Sequence, residues 1–140
     1  MLDCLILGDS IAVGTHQFRQ ECVSYSQGGI NSQQWNKKFG GKVLASPVVI
    51  ISLGTNDHHG VHTFKELSKM RANVTAERVY WILPPCNDKF CKPDVNDVVK
   101  IIANSRGDTV ISTTKLQKDA VHPSWNGYKD LANATRNTDR

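Results

Sequence analysis

The run Val48-Val49-Ile50-Ile51-Ser52-Leu53, opened by Pro47, constrains this chain more than any other segment. Successive β-branched side chains lose rotamer freedom in a helix and suit a pleated strand. An apolar run without alternation leaves no face for water, so it predicts a strand buried on both sides within a parallel sheet. Parallel neighbours cannot be joined by a hairpin and need crossovers, usually helices. The rest of the chain supplies them. Leu2 to Leu7, ending at Gly8, reads as the first strand, and Cys22 to Ser26 as the second. Val79 to Leu83, stopped by Pro84-Pro85, is the fourth strand, and Thr109 to Ser112 the fifth.

Between these strands lie helical patterns. Ile11 to Gln20 is the first, and Asn31 or Ser32 to Lys38 the second, with Gly40-Gly41 as its stop. Phe64, Leu67, Met70 and Val74 fall on one face of a third. Pro93 suits a first helical position, followed by the stripe Val95, Val98, Val99 and Ile102. Pro123 opens the last helix, with Tyr128, Leu131 and Ala132 facing inward. Five strands interleaved with helices predict an α/β fold whose parallel sheet is covered on both faces.

The 140 residues form one domain, 1–140, with a polar tail from about 134, and no repeat or linker interrupts it. Net charge is +4, from 17 Lys and Arg against 13 Asp and Glu, and the excess is scattered. A nucleic-acid binder concentrates such charge in a stripe, so that class is excluded. No apolar run approaches the ~20 residues that span a bilayer, and the first residues lack the basic region and cleavage site of a secretory signal. A soluble, cytoplasmic protein with no membrane partner is expected. Cys4 and Cys22 read as buried thiols. Cys86 and Cys91 have a spacing that a small disulfide or, with His58, His59 and His62, a zinc ion could use. Without paired Cys-x-x-Cys knuckles, free thiols are the expectation, with no metal and no cofactor.

Ligands of parallel α/β sheets bind beyond the carboxyl ends of the strands. Ser10 follows the first strand, Gly28-Gly29 the second, Asn56 the third, and Asp119 and His122 the fifth. All lie on one edge. Ser10 is a hydroxyl at a strand-to-helix junction, a place where serine more often caps a helix. Asp119 stands three residues before His122, close enough to orient its ring and leave the other nitrogen to accept a proton. Asn56 can donate to a developing oxyanion, and Gly28 or Gly29 can add a backbone N–H. Each element alone has an ordinary structural explanation. Together they supply nucleophile, base, orienting acid and oxyanion donors in one place.

These residues stand in four ordered blocks: Leu7-Gly8-Asp9-Ser10, Gly28-Gly29-Ile30-Asn31-Ser32, Leu53-Gly54-Thr55-Asn56-Asp57 and Asp119-Ala120-Val121-His122-Pro123. With the strand end Trp81-Ile82-Leu83-Pro84-Pro85, they resemble the SGNH, or GDSL-type, hydrolases from Leu2 to about Ala132. The resemblance implies a flavodoxin-like three-layer α/β/α sandwich with strand order 2-1-3-4-5. It implies Ser10 as nucleophile, His122 as base and Asp119 as its orienting acid. Ser10 N–H, a glycine N–H and the Asn56 side chain would form the oxyanion hole. Gly29 is the choice, because Ser32 then fits the hydroxyl that often follows the family's glycine, with Gly28 as the fallback.

The activity so implied is a serine esterase working through an acyl-enzyme. The chain is short for this family and leaves no apolar segment for a lid. Short acyl groups, acetyl first, on a carbohydrate or other small-molecule ester are therefore expected. The alternatives are a catalytically silent carbohydrate-binding relative and a lysophospholipase- or thioesterase-type hydrolase. A nucleotide-binding module ranks behind these, because Gly8-Asp9-Ser10 has neither the Gly-x-Gly-x-x-Gly nor the Walker pattern. Nothing in the sequence signals an oligomeric state.

Overall fold

The computed structural model describes residues 3–136. Its main sheet holds five parallel strands, β1 (Cys4–Gly8), β2 (Val23–Ser26), β4 (Val48–Ser52), β6 (Arg78–Leu83) and β7 (Thr109–Ser112). They lie in the order β2-β1-β4-β6-β7. Counting these five alone, the order is the expected 2-1-3-4-5. The full numbering differs because β3 (Leu44–Ala45) and β5 (Val74–Thr75), which the periodicity did not reveal, pair with each other in a separate parallel ladder. Val74 accordingly leaves the helical face on which it was expected.

The helices are α1 (Ser10–His16), α2 (Ser32–Phe39), α3 (Thr63–Ala72), α4 (Pro93–Arg106) and α5 (Trp125–Arg136). Alternation along the strands sends side chains to two cores. Leu5, Leu7, Val49, Ile51, Val79 and Trp81 meet Trp35, Leu67, Met70, Val99 and Ile102 of α2, α3 and α4. Ile6, Ile50, Tyr80 and Ile82 meet Ile11 and Ala12 of α1 and Leu131 of α5. The result is a three-layer sandwich. The strand Val48–Ser52 is buried at every residue, which is why its sequence shows no alternation.

Several expectations change in detail. The first helix ends at His16, four residues early. Residues 17–22 continue as tight turns, with Phe18 N–H on Thr15 O and Cys22 N–H on Arg19 O, both at 3.0 Å. That turn carries Cys22 back beside Cys4, and the two form a disulfide. Cys86 and Cys91 form a second, so among the described residues no cysteine is a free thiol, contrary to expectation. With both sulfurs bonded, a zinc site built on Cys86 and Cys91 has no thiolates to offer.

Phe64, assigned to an inner face, is 52% exposed on α3. Gly40 ends α2 in right-handed rather than left-handed conformation. The last helix begins at Trp125 rather than Pro123, because Pro123 is held in an antiparallel bridge with Leu116. Residues 134–136 of the expected tail belong to α5, and 137–140 lie outside the described residues. Among the described residues no helix is long and apolar enough to cross a membrane.

The topology decides where a site can form. β2 lies to one side of β1 and β4 to the other, so the connections diverge at the carboxyl ends of β1 and β4. Gly8 and Ser52 are register partners there. The approach at this point is closer than any side chain allows. A Cβ on Gly8, whose φ is 147°, would lie 1.7 Å from Ser52 O.

Candidate active site

Asp9 starts the site from below. It is fully buried and caps α1, its Oδ1 accepting the Ile11 N–H at 3.0 Å and, more weakly, the Ser52 hydroxyl at 3.3 Å. Among the described residues its Oδ2 has no hydrogen-bond partner. Burial raises its pKa to about 7, opposed by those hydrogen bonds, because the charged form has lost its water. This cap sets the first turn of α1, so Ser10 stands at the helix N-terminus on the sheet edge. The Ser10 N–H has no acceptor among the described residues, as expected for the first residue of a helix.

Ser10 Oγ lies 2.9 Å from His122 Nε2, and His122 Nδ1 lies 2.7 Å from Asp119 Oδ2. A carboxylate only accepts, so Nδ1 carries the proton, and in the neutral ring Nε2 is left to accept from the Ser10 hydroxyl. Asp119 Oδ1 meanwhile accepts the N–H groups of Val121 and His122 at 2.9 and 3.0 Å. The His122 hydrogen bond and those two N–H groups together hold the Asp119 pKa down to about 2. Both side chains are accessible, 46% for Asp119 and 38% for His122, so water reaches the pair.

Asn56 is half-buried in the first part of the loop that joins β4 to α3. One N–H of its amide donates to Ile30 O at 3.1 Å, which leaves the second for a ligand. The glycine doublet is exposed, and neither N–H finds an acceptor among the described residues. Gly28 stands nearer the serine: its Cβ would lie 3.8 Å from that of Ser10, whereas one on Gly29 would meet nothing within 4 Å. Gly29, at φ 76°, instead makes the turn into α2.

Sequence reasoning assigned no role to the residues that tie these loops together. Asp57 is buried and accepts the Ser32 N–H at 2.8 Å, the Ser32 hydroxyl at 2.6 Å and the Thr63 hydroxyl at 2.8 Å. It therefore locks the glycine block to the Asn56 loop. Lys92 Nζ donates to the carbonyls of Thr55 and Asp57 at 2.9 and 2.7 Å. Asn87 Nδ2 donates to Ala120 O at 2.9 Å. An Asn-Asp pair after a strand was the only visible hint of Asp57; Lys92 and Asn87 carried no local signal. A cleft of about 440 Å³ opens one residue beyond Asn56, lined by His58, His59, Val61, Lys92 and Pro93 among others.

No family model matches the chain, and no curated protein matches it. Similar folds occur among solved structures. A presumed acylhydrolase of Bacteroides fragilis superposes with a TM-score of 0.69 at 20% identity, over 94% of this chain and 83% of that one. The C-terminal catalytic domain of peptidoglycan O-acetyltransferase A from Streptococcus pneumoniae, solved with a methylsulfonyl adduct, superposes at 0.60 and 15% identity, over 94% and 89%. At these identities the likeness is one of fold.

Proposed function

We propose that this protein is a serine esterase of the SGNH type, and one observation carries the reading: the unbroken line Ser10 Oγ, His122 Nε2, His122 Nδ1, Asp119 Oδ2, at 2.9 and 2.7 Å. Ser10 Oγ attacks the ester carbonyl as His122 Nε2 takes its proton. The oxyanion is held by Ser10 N–H, a glycine N–H and the Asn56 amide, then collapses as His122 protonates the departing alcohol. Water repeats the sequence on the acyl-enzyme, releasing the acid and restoring Ser10. Gly29 is retained for the glycine donor on the motif, and proximity to Ser10 favours Gly28.

Access of water to the Asp119–His122 pair favours hydrolysis over transfer to a second alcohol. The same openness supports short acyl groups on a bulky alcohol such as a sugar. A long chain needs an enclosed apolar pocket, and the cleft beside Asn56 is open to solvent, with two histidines and a lysine in its lining. The solved catalytic domain of a peptidoglycan O-acetyltransferase with this fold is consistent with acetyl chemistry on carbohydrate. Two disulfides favour an oxidising compartment over the cytoplasm expected from the sequence.

An acyl-length series of chromogenic esters tests this reading, with Ser10→Ala as control. Activity should peak at acetyl or propionyl and fall steeply by octanoyl. Each extra methylene is worth ~0.8 kcal/mol only where a pocket buries it. Ser10→Ala should lose activity by about 10⁶-fold while staying folded. Turnover by folded Ser10→Ala would end the esterase assignment, and a preference for octanoyl would end the short-acyl one.

A further inference from the structure

The base loop, residues 113–124 between β7 and α5, has an unusual burden. It must hold Asp119 and His122 in line with Ser10, yet Asp119 is exposed and Ala120 adopts φ 59°, a conformation alanine disfavours. Within the loop, Gln117 N–H binds His122 O at 2.8 Å and Ala120 N–H binds Gln117 O at 3.0 Å. These bonds shape the loop without fixing where it stands. Apart from Ser10 itself, only one described residue outside the loop and α5 hydrogen-bonds the stretch from Asp119 to Pro123. That residue is Asn87.

Asn87 is presented in a determined orientation. It follows Cys86 in the short loop that the Cys86–Cys91 disulfide closes. Its Oδ1 accepts the N–H groups of Lys89 and Phe90 at 2.9 and 3.1 Å, and its own N–H binds Phe90 O at 2.8 Å. With the amide oxygen committed to the loop, Nδ2 must face outward, and it meets Ala120 O at 2.9 Å. The far end of the loop is anchored too, since Lys92, next after Cys91, donates to the carbonyls of Thr55 and Asp57 beside Asn56.

We propose that the disulfide-closed loop Cys86–Cys91 is a brace, with Asn87 a positioning residue that holds Ala120 and so aligns the Asp119–His122 pair with Ser10. This rests on the esterase reading. Asn87 is itself exposed, so its role lies in alignment more than in the core. Displacing the pair costs rate rather than substrate binding, because Asn87 reaches the chemistry only through His122. Misplacement by about 1 Å can cost on the order of 10²-fold.

Asn87→Asp is the sharpest probe, because it keeps the acceptor for Lys89 and Phe90 and replaces the donor to Ala120 O with a carboxylate oxygen. With a short-chain chromogenic ester, kcat should fall by about 10- to 100-fold with KM little changed. The downfield proton resonance of His122 Nδ1–H should shift or broaden. Cys86→Ser/Cys91→Ser should lower kcat less, and adding it to Asn87→Asp should cost less than the sum, because both act through one contact. Unchanged kcat and an unchanged His122 resonance in folded Asn87→Asp, beside an inactive Ser10→Ala, would overturn the brace and spare the esterase. Additive losses would overturn the coupling of disulfide to Asn87. Full turnover by Ser10→Ala would overturn both readings.

Discussion

The two halves of the candidate site are built by different means. The Ser10 half grows out of the sheet. Asp9 is buried beneath it, Gly8 touches the Ser52 backbone, and Asp57 ties the glycine block to the Asn56 loop. The Asp119–His122 half sits on an exposed loop after an edge strand, held by short hydrogen bonds and a reach from Asn87. Core packing thus places Ser10, whereas polar contacts place His122. Substitutions in the first half should disturb stability as well as rate, and those in the second should disturb rate almost alone.

After Ser10→Ala, the largest effect expected on this contrast comes from the exposed half. Asp119→Asn retains an oxygen for the Val121 and His122 N–H groups and turns an amide N–H toward Nδ1. The imidazole is then driven to the tautomer that cannot accept the Ser10 proton. By the behaviour of other triads, kcat should fall about 10⁴-fold. Thermal stability should change little at neutral pH, because an exposed pair contributes little. The Asp119 pKa is depressed, so its small stabilisation is present above about 4 and fades as pH falls toward 2. A large drop in melting temperature at pH 7 would mean that this half, too, is part of the folding core.

Asn56→Ala belongs to the embedded half and, on the proposed role as oxyanion donor, should cost roughly 10²–10³ in kcat with KM little changed. It also removes the donor to Ile30 O, so a measurable loss of stability should accompany the loss of rate. A defect confined to KM would make Asn56 a binding residue and leave the oxyanion hole without its side-chain donor.

Asp9 sharpens the comparison through pH. Its folded pKa, raised to about 7, exceeds the ordinary 3.8, so the folded protein binds the proton more tightly than the unfolded chain. Its contribution is therefore most favourable below about 4 and is lost as pH rises through 7. Asp9→Asn, which keeps the cap to Ile11, should flatten this dependence. It should also raise unfolding stability at pH 8 by on the order of 2–4 kcal/mol. Denaturant unfolding from pH 4 to 9 measures it. Parallel curves for the two proteins would remove the burial argument.

The smallest effect is expected at Ala120→Gly. Relief of the left-handed strain opposes the greater freedom of glycine in the unfolded chain, so stability should change by less than about 1 kcal/mol. The hydrogen bond from Asn87 goes to the backbone and survives, so kcat should hold. A clear loss of rate would show that the alanine methyl, buried at 9% exposure, helps to seat the loop.

Much of this molecule was legible in its residues for definite reasons. The Val48–Ser52 run announced a strand buried on both faces because burial on both faces removes alternation. The strand ends then placed Ser10, Gly28-Gly29, Asn56, Asp119 and His122 on one edge, because all strands of a parallel sheet point the same way. Local chemistry also foretold that Asp119 would reach His122, three residues on. Contacts between distant segments could not be read in this way. The pairing of Cys4 with Cys22 depends on a turn that replaces the last part of a helix. Asn87 meets Ala120, Lys92 meets Thr55, and Asp57 meets Ser32 only because strands β2, β1, β4, β6 and β7 lie side by side. Apolar periodicity fixes which face each element buries, since burial is a property of the element itself. Partners brought together by neighbouring strands share no periodicity, and tertiary packing alone decides them.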